Sequence, residues 1–391
     1  MKIAFLIPTL HKGGAEKIAS ELSLWMPKKW EIVFILFEKK INYPYRGKVI
    51  SLDLPLEKNF FKDIYNFFLR IFKLRKIIKE ENIDVVISFD DYANTLNSFV
   101  GRRPILTVHK PIQIADIYKD PLRRVLSKTL RKFYARACRV IAVSRGIRED
   151  LIEYAGINEN KVIVINNPYN IAEIRRRAKK ESKIKVSKEY IVNIGRAEKE
   201  KGQWHLIRVF SKVHRSYPKL KLVIIGGGSL SAYIKQLITE LNLVDNIIYV
   251  DKFLDNIAPI LRGAKIFILS SIFEGFPNVI IESFSVGLPV ISTNCRTGPA
   301  EIFEADMINK NGIIITKYGI LVPPLDGVFK KYNEPLTAAE SKLADAIILL
   351  LSDDKLRKKM AKYAKKRAED FDVAIIIKRY IKLINDVFNE Y

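Results

Sequence analysis

Two carboxylates, Glu274 and Glu282, frame a Gly/Pro turn in the run Glu274-Gly275-Phe276-Pro277-Asn278-Val279-Ile280-Ile281-Glu282. The apolar stretch just before it, residues 264–270, reads as a buried strand, and Pro277 sits where a first helical turn accepts proline. A strand that passes directly into a helix presents the amides of Phe276, Asn278 and Val279 at the strand's carboxyl end. There the helix dipole and the N–H groups favour a pyrophosphate. Glu282 falls about a turn and a half into that helix, within reach of a ribose. Glu274 stays on the loop with Gly275, where a sugar on the pyrophosphate would lie. Either glutamate alone suits a capping or a solvated acid; the whole unit suits a grip on a nucleotide sugar.

Three further constellations follow strands. Gly195-Arg196-Ala197-Glu198-Lys199-Glu200-Lys201-Gly202 comes straight after the apolar run 190–194. Arg196 and Lys201 there could neutralise charge developing on a departing diphosphate, or could belong to a solvated turn. Gly226-Gly227-Gly228-Ser229 follows the next strand, and Gly227 would allow close approach to the same phosphates. Near the N-terminus, Thr9-Leu10-His11-Lys12-Gly13-Gly14-Ala15-Glu16 joins a first strand to a helix with apolar Ile18, Leu22 and Trp25. Gly13 and Gly14 suit either close backbone approach to a ligand or a plain tight turn. The dinucleotide spacing G-x-G-x-x-G and a Walker lysine-serine pair are both absent. His109 follows the run 105–108 at the strand's carboxyl end, where position alone favours a satisfied structural histidine over a functional one.

These turns need sheets to hold them. Strand-like runs at 3–8, 32–37, 85–88, 105–108, 139–143 and 162–165 alternate with helical patterns, the mark of a parallel sheet covered on both faces. A second alternating set lies at 190–194, 221–225, 247–250, 266–270, 290–292 and 319–322, followed by helices at 338–351, 354–369 and 373–389. The basic stretch 171–188 reads as a linker, and 301–340 is the least regular region. The expected fold class is α/β, with two Rossmann-like domains whose parallel sheets face a central cleft.

The chain's 391 residues exceed one ordinary domain, and 48% hydrophobic with 28% charged residues describes a globular protein. No apolar run reaches the roughly 20 residues of a membrane span, and the N-terminal run reads as a strand rather than a signal peptide, so a cytoplasmic location is expected. Two cysteines and four scattered histidines give neither a disulfide framework nor a metal-ligand pattern. The net charge of +24 favours an anionic surface. Basic residues cluster among apolar ones in 60–79, where Phe68, Arg70, Phe72, Lys73 and Lys76 make a candidate membrane face, and in 122–139, with Arg123, Arg124, Arg131 and Lys132. Ordinary helices with a solvated basic face would read the same way. No nucleic-acid reading motif is present, so nucleic acid is not an expected partner.

Taken in order, the Gly13–Glu16 loop, Gly195-Arg196 with Lys201, and the Glu-x7-Glu unit 274–282 resemble the retaining GT-B glycosyltransferases of the family-four type, also called group 1. The segments 292–301 and 318–324 resemble the subgroup that extends lipid-linked oligosaccharides or polysaccharide repeats. The resemblance implies an N-terminal acceptor domain, 1–170, completed by a C-terminal helix, 373–391, and a nucleotide-sugar domain, 189–372. It implies that Arg196 and Lys201 hold the diphosphate, Glu274 orients the donor sugar, Glu282 binds ribose, Gly14 approaches the phosphate, and His109 lies near the sugar. Base contacts fall on backbone around Lys252 and Phe253. It further implies a nucleoside diphosphate sugar as donor, a lipid-linked glycan as acceptor, no cofactor and no metal, and work at the inner face of the membrane. An epimerase or phosphorylase on the same scaffold, or a non-catalytic membrane- or polyanion-binding protein, are the alternatives.

Overall fold

The strand-forming runs are apolar on both faces, and they become the interior of two parallel sheets. A computed structural model describes residues 1–11, 13–57, 59–111, 132–182, 184–186, 189–305 and 312–390. The chain divides into two compact units, Met1–Tyr169 with Phe371–Tyr391, and Asn170–Asp370.

In the first unit, β1 (Lys2–Ile7), β2 (Glu31–Leu36), β3 (Lys48–Ser51), β4 (Val85–Ser88), β5 (Pro104–Val108), β6 (Arg139–Ala142) and β7 (Val162–Val164) form a parallel sheet ordered β3-β2-β1-β4-β5-β6-β7. Period-two alternation sends Ile3, Phe5 and Ile7 to one core and Ala4 and Leu6 to another. The first core takes Ile18 and Leu22 from the helix Gly14–Trp25, and Tyr380, Leu383 and Ile384 from the helix Val373–Glu390. The second takes Leu74 and Ile78 from the helix Phe60–Glu80. Each such side chain contributes about 1.5–3 kcal/mol on burial.

The second unit repeats the plan with β8 (Tyr190–Ile194), β9 (Lys221–Ile225), β10 (Ile247–Val250), β11 (Ile266–Leu269), β12 (Val290–Thr293), β13 (Ile314–Ile315) and β14 (Gly319–Val322), ordered β10-β9-β8-β11-β12-β14-β13. Its pairs are parallel except β13 with β14. β3 and β13 have no counterpart in the sequence reading. β3 is a half-buried edge of four residues and β13 has two, too short for either period to show.

Two basic segments differ from expectation. The stretch read as a linker opens with a helix, Ile171–Arg177, capped by Asn170. Its Arg175 donates to the carbonyls of Ser285 (3.0 Å) and Lys365 (3.1 Å), so this part belongs to the second unit. The stretch 122–139 is not one helix to its end. Phe133–Arg136 is a short 3-10 turn, Arg136 lies over the rings of Phe99 and Phe133, and Arg139 opens β6, paired with Glu390 at 2.6 Å. Arg123, Arg124 and Arg131 fall outside the described residues, and Lys132 is exposed.

Candidate active site

In the second unit the strand order reverses between β8 and β11, and a parallel sheet opens a crevice at the carboxyl ends of such a pair. Both strands run into turns there. The turn after β8 ends at Gly202 with φ +56, and a Cβ at that position would lie 2.4 Å from the carbonyl of Ser270. Only glycine lets the turn close onto the end of β11 in this way. Ser270 Oγ donates to the Lys201 carbonyl at 2.9 Å, and the Ile272 amide donates to the Glu200 carbonyl at 2.8 Å. The two turns are thereby stitched together.

The stitching brings two predicted residues into contact. Lys201 Nζ donates to Glu274 Oε1 at 2.7 Å, and Ser271 Oγ donates to the same oxygen at 2.6 Å. The Lys201 and Glu274 side chains are 21% and 10% exposed, enough for a ligand to reach them. Arg196 does not join the pair. It is 65% exposed and bonds Glu200 at 2.9 Å, one turn away at the rim.

Beyond Glu274 the chain enters the helix Asn278–Val286 one residue later than the sequence suggested: Pro277, with φ −71 and ψ 99, caps the helix rather than opening it. Asn278 and Val279 therefore supply the first-turn amides that helix starts offer to anions. Phe276 is buried, and Glu282 is 8% exposed in the second turn. Gly226 (φ +133) and Gly227 carry the exit of β9 past its neighbours: a Cβ on Gly226 would meet the Gly195 carbonyl at 2.1 Å, and one on Gly227 the Asp251 carboxylate at 2.7 Å. Phe253, past β10, is 45% exposed.

Sequence reasoning missed the residues that brace this loop from β12. Thr297 is in the left-handed region at φ +64, rare for a β-branched residue, and its hydroxyl donates to the Glu274 carbonyl. Gly298 (φ +80) backs onto Gly275, whose carbonyl a Cβ would approach to 2.8 Å. Thr293 Oγ1 donates to the Ser271 carbonyl at 2.5 Å. Cys295 is buried behind the pair; burial, with the Glu274 charge, pushes its thiol up to about 12 and keeps it protonated. The Thr-Gly step before Pro299 was the available sign of a turn, but nothing in it indicates which loop the turn supports.

The remaining predicted residues lie on the first unit. Gly13 caps the helix Gly14–Trp25, and the Glu16 carboxylate folds over it, 1.8 Å from where a Cβ would stand. His109 follows β5 with its Nε2 3.1 Å from Thr107 Oγ1, and burial pushes its pKa down to about 4, against the nearby Asp91 charge. The ring is neutral at pH 7.

On the helix Phe60–Glu80 the expected membrane face divides. Arg70 does not belong to it. Its side chain is 0% exposed, paired with Asp63 at 3.2 Å, donating to the Leu54 carbonyl at 3.0 Å, and stacked over Phe37 and Tyr92. Ile64, Tyr65, Phe68 and Phe72 do face outward, at 42%, 64%, 56% and 66% exposure. Lys73 and Lys76 are exposed beside them, Lys73 reaching the Leu52 carbonyl at 2.7 Å. Among the described residues no helix is long and apolar enough to cross a membrane.

Two Rossmann-like units of this topology make the GT-B fold, shared with TarM (TM-score 0.76, 15% identity, 100% of this chain and 99% of that one) and with Anabaena Alr3699/HepE, solved in complex with UDP and glucose (TM-score 0.74, 20% identity, 99% and 100%). Two sequence families match in tandem, Glycosyltransferase Family 4 over residues 12–173 and Glycosyl transferases group 1 over residues 174–320. An uncharacterized glycosyltransferase of Methanocaldococcus jannaschii, MJ1059, is 33% identical over 81% of this chain and 82% of its own. The chain belongs to the group 1, family 4 glycosyltransferases and is an enzyme of that kind. A Campylobacter jejuni relative, 27% identical over 98% of this chain and 99% of its own, is the N-acetylgalactosamine-N,N'-diacetylbacillosaminyl-diphospho-undecaprenol 4-alpha-N-acetylgalactosaminyltransferase.

Proposed function

We propose that the enzyme moves a sugar from a nucleoside diphosphate sugar, with uridine as the favoured base, to a hydroxyl of a lipid-linked glycan at the inner face of the cell membrane, with retention at the anomeric carbon. The observation that carries this reading is the contact of Lys201 with Glu274 at the switch point, beside the start of the helix Asn278–Val286. A cation and first-turn amides suit a diphosphate, and a carboxylate on the adjoining loop suits sugar hydroxyls. Lys201 and Arg196 would offset the charge that builds on the leaving diphosphate, which itself takes the acceptor proton on the same face. Glu282 would hold the ribose, and no metal is needed for the transfer. The diphospho-undecaprenol substrate named for the Campylobacter relative supports a lipid-borne acceptor, and the UDP bound to HepE supports the base.

Such an acceptor brings the enzyme to a bilayer. The outward stripe Ile64, Tyr65, Phe68 and Phe72, flanked by Lys73 and Lys76, is the first unit's contact with anionic lipid. The test is transfer from a panel of nucleoside diphosphate sugars to undecaprenyl-diphosphate-linked saccharides, with and without EDTA, and with NMR of the new linkage. Transfer to a water-soluble sugar alone, an inverted linkage, or loss of activity in EDTA would each remove the matching part of the reading.

A further inference from the structure

Past β14 the backbone of segment 326–335 is fastened from beneath by buried charges. Arg208, 1% exposed, donates to the carbonyls of Glu334 at 3.2 Å, Pro335 at 2.9 Å and Lys331. Its charge is met at 3.0 Å by Glu340, which is 0% exposed and also bonds His205 Nδ1 at 2.8 Å. Burial alone would raise the Glu340 pKa, but His205, Arg208 and the Thr337 amide bring it down to about 2. Trp204 Nε1 donates to the Val328 carbonyl at 3.2 Å and Tyr233 Oη to the Lys330 carbonyl at 3.4 Å. Gly327, at φ +67, backs onto the Ile272 side chain, where a Cβ would come within 2.9 Å, so the segment is lodged beside the loop that carries Glu274.

Taking ions out of water costs several kcal/mol each unless they are well paired, so this fastening is a costly way to fix a loop. The side chains it fixes point outward: Val328, Phe329 and Tyr332 are 48%, 45% and 48% exposed. Phe329 is stacked on Trp204 with ring centroids 4.5 Å apart, which stiffens the ridge. The two acids of the segment are tied to its own backbone at the surface, Asp326 accepting from the Val328 amide at 2.9 Å and Glu334 from the Lys331 amide at 2.8 Å, and Asp326 also lies 3.4 Å from His205 Nε2. Lys330 and Lys331 make no ion pair among the described residues. A rigid ridge of one aliphatic and two aromatic side chains with two free ammonium groups has the composition of a bilayer interface.

We propose that segment 326–334 is a second lipid-contacting element, by which the nucleotide-sugar unit itself rests on anionic lipid next to its active-site loop. This rests on the reading of a lipid-borne acceptor and extends it to a surface that the basic helix Phe60–Glu80 of the first unit does not include. A second copy of the chain is a poorer occupant, because a two-fold contact centred here would bring Lys330 and Lys331 against their own copies.

The test uses the full chain with vesicles of phosphatidylglycerol and phosphatidylcholine, and of phosphatidylcholine alone. The variants are Val328→Ser with Tyr332→Ser, Lys330→Gln with Lys331→Gln, and, as reference, Phe68→Ser with Phe72→Ser. Unchanged melting temperatures verify folding. Lys330→Gln with Lys331→Gln is expected to weaken partitioning onto the anionic vesicles by about 30-fold, the scale set by two surface cations, and Val328→Ser with Tyr332→Ser by about tenfold or more through lost apolar burial. If both loop pairs bind as wild type while the Phe68/Phe72 pair has lost binding, the second element is overturned and the membrane reading stands. If wild-type protein ignores anionic vesicles, both fall. If the Val328/Tyr332 pair turns a dimer into a monomer without changing vesicle binding, the ridge belongs to self-association and the proposal is overturned.

Discussion

The two sheets share one strand order about their first strand, yet their carboxyl edges are built differently. At the edge of the second unit an ion pair, two strained or left-handed turns and a braced loop converge on Glu274. At the edge of the first unit a neutral histidine beside the Asp91 charge and a glycine turn covered by the Glu16 carboxylate stand over a floor of neutral hydrogen bonds, among them Ser88, Asn94, Asn97 and Thr107. The contrast teaches that this scaffold leaves the edge chemistry free. The edge whose lysine is held by a carboxylate suits a charged ligand of fixed geometry; the edge with acids and neutral hydrogen-bonding groups but no such lysine–carboxylate pair among the described residues suits hydroxyls.

The largest expected effect tests the charged edge. Lys201→Ala or Glu274→Ala should lower turnover about 100-fold or more while the melting temperature moves little, as for loss of one preorganised electrostatic group. Near wild-type kcat in either variant would erase the contrast. Glu274→Gln sharpens it: if the proposed diphosphate takes the Lys201 ammonium from Glu274, the variant should bind UDP severalfold tighter by calorimetry while transferring sugar more slowly. Unchanged or weaker UDP binding would show that no such exchange occurs.

Gly202→Ala tests whether the charged edge depends on its turn. The side chain would require an unfavourable left-handed φ and would meet the Ser270 carbonyl, so a loss of about 1–3 kcal/mol in urea denaturation is expected. The first unit's edge gives the smallest signal. His109 has a folded pKa of about 4 against an ordinary value of 6.5, so folding favours its neutral form. Its contribution is intact above pH 6.5 and is lost as pH falls from 6.5 towards 4, where the unfolded chain takes up the proton first. Wild-type protein should therefore lose about 2 kcal/mol more than His109→Asn across that window. Parallel pH–stability curves would mean that the ring is not desolvated.

Most strands were legible in the sequence because burial on both faces leaves uninterrupted apolar runs, as in Val85–Ser88 and Lys221–Ile225. The Glu274 loop was legible because a glycine and a proline between a strand and a helix leave few alternatives. Arg70 was not. A basic residue among phenylalanines looks alike whether it turns outward to lipid or inward to a carboxylate, and only its pairing with Asp63, two turns earlier on the same face of the helix, settles it. Thr297 was equally hidden, since a left-handed threonine has no composition signal of its own. The helix starting at Asn278 rather than Pro277 reflects the usual latitude at helix ends.

The unit completed by Val373–Glu390 cannot close its core until those residues exist, since Tyr380, Ile384 and Val387 fill it from the far end of the chain. The unit Asn170–Asp370 is continuous and has no such wait. During synthesis on the ribosome the order of maturation should therefore run against the order of translation, with the later-made half becoming protease-resistant first. Stalled nascent chains ending near residue 370 that already protect residues 1–169 from proteolysis would contradict this sequence of events.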